Sequence, residues 1–222
     1  MSTTATVSFA DIQIATNALP VGTPIILRDL TWDDYENLLA DRGEKRRIRF
    51  SYAHGRLEVM TLSQKHENPK VLLTALVITL AEELDLMLIP IGSMTLKRES
   101  EDIGTEPDDC YYISHAPEVE GKEIDLKTDP PPDLAIEIDI SHPSLDKFPI
   151  YAGLEIPELW LFDGQQVRFY MLTGRQYAEV SNSLQFPFLP ADVITAHLQL
   201  GRASEIIRMR KTFREWVQKN RT

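Results

Sequence analysis

The segment Pro132-Asp133-Leu134-Ala135-Ile136-Glu137-Ile138-Asp139-Ile140 carries the residues of this chain best suited to chemistry. Read as a β-strand, it sets Leu134, Ile136, Ile138 and Ile140 on one face and Asp133, Ala135, Glu137 and Asp139 on the other. Three carboxylates on one side of an apolar strand repel one another and resist burial. A hard divalent cation seated on that face removes both penalties. Lys147 follows ten residues after Glu137, at the start of an expected helix. A carboxylate cluster with a nearby lysine is the working set of a metal-dependent phosphodiesterase. The alternative is an edge strand whose acids face water.

The surrounding pattern supplies elements to hold that set. Leu30-Thr31-Trp32-Asp33-Asp34-Tyr35 reads as a helix start with Thr31 as N-cap and acids in the first turn. Residues 47–52 and 57–62 read as a hairpin joined across Ala53-His54-Gly55-Arg56. From Asn68 to Leu86, apolar residues at 72, 73, 76, 80 and 84 predict a long helix buried against a sheet. Short strands are expected at 87–91 and 94–97, and another after Pro107. Residues 115–131 read as a loop, the acidic strand covers 133–140, and a helix runs from about Asp146 to Leu154. Strands at 159–162, 167–172 and 176–180 alternate with turns at Asp163-Gly164 and Thr173-Gly174, and a basic helix from about Ser204 to Gln218 closes the chain. The mixed order predicts an α/β or α+β sheet flanked by helices. Residues 1–20 read as a flexible arm and 21–222 as one domain.

Composition narrows the setting. With 222 residues, 43% of them hydrophobic, the chain can build its own core. The single cysteine, Cys110, excludes an intramolecular disulfide and suits a reducing cytosol. The N-terminus has no basic stretch followed by an apolar run, and the longest apolar run, Val71 to Ala81, is too short for a bilayer. A cytoplasmic protein without a membrane partner is expected. A net charge of −11 argues against binding nucleic acid through a uniformly basic surface. Residues 202–222 nevertheless hold seven basic and two acidic side chains, a local +5 against −16 elsewhere.

Several blocks together resemble the Uma2 family, also called DUF820, whose members are similar to divergent PD-(D/E)XK nucleases and are abundant in cyanobacteria. The resemblance lies in residues 30–35, Gly55-Arg56-Leu57-Glu58-Val59-Met60 with His66, Glu106-Pro107-Asp108, the 132–140 block, Lys147, Tyr151-Ala152 and Ile156-Pro157-Glu158-Leu159-Trp160. It implies a restriction-endonuclease-like core: a mixed sheet flanked by helices with a metal site at its centre. In the wider superfamily an Asp and a Glu on adjacent strands hold magnesium, and a lysine two residues after the Glu orients the attacking water. Here that position is Asp139, and the resemblance implies relocation of the lysine to Lys147 on the following helix.

On this reading Asp108 and Glu137 are metal ligands, Asp139 is a further ligand about 6.5 Å along the strand from Glu137, and Lys147 is the catalytic lysine. Each has a plainer alternative: Asp108 a turn aspartate, Glu137 and Asp139 exposed strand acids, Lys147 a helix cap or partner of Asp146. Asp133, about 13 Å from Glu137, is too distant to share its ion. Glu58 is an outer ligand or a surface glutamate, and His66 touches the site or caps the long helix. His54, His115, His142 and His197 lack metal-ligand spacing. Cys110 reads as a buried strand residue, and the C-terminal helix as an amphipathic element docked on the body.

The expected function is a magnesium-dependent endonuclease, with manganese as the alternative ion, acting on nucleic acid and on DNA in particular. The other reading is a nuclease fold without turnover that serves as a binding or regulatory module. Cutting both strands of a duplex calls for two sites, so a C2 homodimer is expected, with the C-terminal helix and the strands from Val167 to Val180 as interface material.

Overall fold

The computed structural model describes residues 7–43, 47–61, 64–139, 145–203 and 205–221, with the backbone alone for 64–66. The first elements are α1 (Phe9–Asn17), β1 (Ile25–Leu27), α2 (Trp32–Arg42), β2 (Ile48–Ala53), β3 (Arg56–Thr61) and α3 (Gln64–Leu84). Next come β4 (Ile89–Pro90), β5 (Leu96–Arg98), β6 (Ile103–Thr105), β7 (Asp109–Tyr112), α4 (Ala116–Val119), β8 (Leu134–Ile138) and α5 (Phe148–Gly153). The chain closes with β9 (Glu158–Phe162), β10 (Val167–Thr173), β11 (Gln176–Val180), α6 (Ala191–Arg202) and α7 (Ile206–Asn220).

The strands form two sheets. The first, β1-β3-β2-β6-β5, is antiparallel throughout. The second, β11-β10-β9-β8-β7-β4, is mixed, because β8 and β9 run parallel and are joined by a crossover that contains α5. Helices α1 and α2 cover the outer face of the first sheet, where Phe9, Ile12, Tyr35 and Leu38 meet Phe50, Tyr52, Leu57 and Val59. Helices α3, α6 and α7 cover the outer face of the second, packing on Leu134, Ile136, Ile138, Trp160 and Phe162. A third cluster, with Ile103, Ala135, Ile150, Tyr151 and Leu159, joins the two sheets to α5. The architecture is the expected α+β one, with the strands divided between two sheets.

Local chemistry accounts for the elements that frame the site. Thr31 and Asp34 form a reciprocal capping box that starts α2 where the sequence predicts it. The β2–β3 hairpin turns on His54 and Gly55, both at positive φ (47° and 79°), which is the two-residue turn whose twist matches paired strands. Helix α3 begins at Gln64, a turn before the expected Asn68, so Pro69 lies inside it. The proline removes one early backbone bond, and the buried stripe Leu72, Leu73, Leu76, Val77 and Leu80 offsets that loss. Residues 9–17 correct the loose-arm reading of 1–20: Ser8 and Asp11 cap a helix that buries Phe9 and Ile12. Its weak helical periodicity hid it from sequence. Strands β1 and β6 and helices α4 and α6 were also outside the expected set.

Candidate active site

Strand β8 lies in the middle of the second sheet, between β7 and β9. That excludes the edge-strand alternative for its acids. Leu134, Ile136 and Ile138 enter the helix-covered core, and the alternation turns Glu137 toward the other sheet. Asp108 stands one residue before β7. Its amide donates to Ile136 O at 3.1 Å, and its Oδ2 accepts from the Ile138 amide at 2.7 Å. Asp108 and Glu137 are thereby brought into one cleft, each about 95% buried.

Helix α5 closes the cleft. Lys147, its N-cap residue, places Nζ 2.9 Å from Glu137 Oε2. Tyr151, one helical turn on, donates its phenol to Oε1 of the same carboxylate. The Asp146 carboxylate accepts from the Phe148 amide at 3.0 Å, bracing the entry to the helix while Lys147 reaches inward. The first sheet supplies the opposite wall. Arg49 and Ser51 on β2 and Glu58 and Met60 on β3 share the face turned away from Phe50 and Tyr52. Arg49 Nη1 lies 3.1 Å from Asp108 Oδ1. Glu58 is buried, and its Oε2 accepts from the Leu145 amide at 3.1 Å, just ahead of α5. This corrects the surface alternative for Glu58.

Electrostatics follow from that burial. Desolvation raises the Glu137 carboxyl above its ordinary value; the Lys147 ammonium opposes the rise and the Asp108 charge adds to it. Burial by itself would lower Lys147, yet the charges of Glu137, Asp108 and Glu58 outweigh it and hold the ammonium above its ordinary value. Burial first, then the Glu137 charge, pushes Tyr151 well up, so it remains a phenol and a donor.

The remaining expected residues lie elsewhere or at the margin. Asp139 is half-buried on the cleft wall, its amide bonded to Phe162 O at 2.8 Å. Asp133 is buried outside the cleft, accepting from the Ile113 amide (2.7 Å) and meeting His115 Nδ1 at 2.6 Å. Cys110 is buried in β7, its thiol raised chiefly by that burial and directed at Gly92 O. The side chain of His66, all of His142, and the expected helix start at Ser204 lie outside the described residues. Helix α7 docks on α3 and α6, burying Met209, Phe213 and Val217.

Arg49 and Tyr151 were missing from the expected site. Tyr151 carried a signal, four residues after Lys147 and so on the same helical face. Arg49 alternates with Phe50 and so belongs to the polar face of the hairpin, but a search for acids passes over it. Glu106 also proves structural: Arg42 Nη2 (2.6 Å), the Phe50 amide (2.9 Å) and Thr95 Oγ1 (2.9 Å) bond it and anchor the turn that leads to Asp108.

Two sheets with a recessed cleft between them, lined by carboxylates and a lysine, define an α+β protein with one candidate active site. The chain belongs to the Uma2 family, whose model, described as "Putative restriction endonuclease", matches residues 32–202. The crystal structure of a putative nuclease belonging to DUF820 from Anabaena variabilis ATCC 29413 is similar at 16% identity and a TM-score of 0.43, over 72% of this chain and 90% of that one. No curated protein matches. Among the described residues, no helix is long and apolar enough to cross a membrane.

Proposed function

We propose that this chain is a divalent-cation-dependent endonuclease that hydrolyses phosphodiester bonds in nucleic acid, with DNA as substrate and magnesium, or manganese in its place, as the ion. The observation that carries the reading is the pairing of Lys147 Nζ with Glu137 at 2.9 Å in the cleft that also holds Asp108. Among the described residues, no three His, Cys, Asp or Glu form a ready-made metal cage. Two carboxylates lining one cleft still fit magnesium, a hard ion commonly held by one or two carboxylates with water and substrate oxygens completing its shell. Asp108 and Glu137 would hold it, with Asp139 as a further ligand at the cleft wall and Glu58 as an outer group that ties the start of α5 to the hairpin. When bound, such an ion neutralises phosphate charge and lowers the pKa of a coordinated water.

The chain's own groups supply the rest. Tyr151 holds one Glu137 oxygen and fixes the carboxylate plane. Lys147, with 23% of its side chain exposed, can exchange its bond to Glu137 for one to the attacking water or a phosphate oxygen. Met60, Phe148, Leu159 and Leu161 wall the cleft with apolar surface and strengthen these electrostatic contacts. Our reading further includes a cytoplasmic homodimer, with one site per subunit.

One observation favours a second reading, a binding module without turnover. Asp108 and Glu137 are already paired with Arg49 and Lys147, and Asp139 occupies the usual lysine position. Incubating purified protein with supercoiled plasmid in magnesium separates the two. The endonuclease reading expects cleavage that chelation and Glu137→Ala both abolish. Cleavage without metal, or surviving Glu137→Ala, overturns it; cation binding without cleavage of any nucleic acid leaves the module.

A further inference from the structure

We infer that Arg49 is a positioning residue of the cleft, fixing Asp108 in the orientation in which it and Glu137 can share a cation. The inference rests on the cation-site reading given above. Arg49 comes from β2 in the first sheet, whereas Asp108 leads into β7 in the second. Its Nη1 meets three successive residues: Glu106 O at 3.4 Å, Pro107 O, and Asp108 Oδ1 at 3.1 Å. A simple counter-ion needs only the carboxylate. The two carbonyl contacts bind the backbone of the turn itself. On its other side Asp108 accepts from the amide of Ile138, the residue next to Glu137. Asp108 is thus held between the hairpin and β8, and Arg49 sets the spacing between the walls that carry Glu58 and Glu137.

The two roles Arg49 could play have opposite signs. A guanidinium 3.1 Å from a ligand oxygen repels an incoming cation, so removing a mere counter-ion tightens cation binding. Removing a positioning group frees the 106–108 turn and weakens binding, because metal–oxygen distances tolerate only about 0.2 Å. Groups that orient metal ligands commonly contribute about 10–100-fold in affinity.

The test is calorimetric titration of the full chain with manganese, wild type against Arg49→Met and Arg49→Lys, with thermal melting of each. Arg49→Met is expected to melt cooperatively and to bind manganese at least about tenfold more weakly. Arg49→Lys should recover part of the loss, since its ammonium restores charge and donors on a shorter reach. A lowered melting temperature with manganese affinity unchanged marks a purely structural role and overturns the inference. Tighter binding marks a counter-ion and overturns it too. Should Arg49→Met not fold, Arg49→Lys decides: weakening of about threefold or more supports positioning, and wild-type affinity overturns it. A wild-type chain that binds no manganese overturns the cation reading together with this inference, and so is told apart from failure of the inference alone.

Discussion

Glu137 and Glu158 are both buried strand glutamates, and their surroundings give them different work. Glu137 faces an ammonium and a phenol in a cleft. Glu158, fully buried at the start of β9, accepts from Trp160 Nε1 at 2.7 Å and from the Gln185 amide at 2.9 Å, pinning the loop after β11. Burial raises the Glu158 carboxyl above its ordinary value, and these bonds only partly offset the rise. The folded chain therefore keeps this proton to higher pH than the unfolded chain. The group's contribution to stability is largest below the unfolded pKa and falls as pH rises from about 4.5 through the folded value. Against Glu158→Gln, melting temperatures measured from pH 4 to 8 should show the wild type's relative stability declining across that window; a difference that stays constant contradicts the assignment. At this scale the sequence was partly legible. The alternation of 134–140 pointed to Glu137, whereas the Pro-Asp corner of Asp108 reads by itself as a turn and only the family resemblance pointed to that residue. Nothing local told an arginine on the polar face of a hairpin that its partner lay in the second sheet.

The elements that position the site are short and depend on their ends. Helix α5 has six residues, too few to stand without packing, and its place is set by burial of its own Ile150 and Tyr151 against Ile103, Ala135 and Leu159 and by the Glu58 bond to Leu145. Helix α2 depends on its capping box and on Tyr35 and Leu38 against the first sheet. Thr31→Ala removes the side-chain acceptor for the Asp34 amide and should cost about 1 kcal/mol in urea unfolding. No measurable loss would mean that packing alone holds the helix start. Elements with strong local signals were legible: the Thr31 N-cap, the hairpin across residues 53–56 and the α3 stripe. The division of strands between two sheets was not, because β6 reads locally as three residues and pairs with β2 across some fifty positions of chain. Such long-range pairing leaves no local trace.

For the whole molecule, the charge distribution and the cleft between the sheets frame how a polyanion would be handled. Part of the basic tail is neutralised internally, with Arg214 pairing both Glu82 and Glu83 and Arg210 near Glu82. Ile206 and Ile207, 37% and 78% exposed, leave apolar surface at the start of the same helix. Light scattering at micromolar concentration should give about twice the 25.3 kDa subunit mass; a value near 25.3 kDa contradicts the proposed dimer. In the proposed mechanism Asp108 and Glu137 hold a divalent cation. Anomalous diffraction from a crystal soaked in manganese tests it most directly. A single strong peak about 2.1–2.3 Å from a carboxylate oxygen of each residue is the predicted result. A cleft with no peak, in a crystal whose protein still cleaves nucleic acid with manganese, would contradict it.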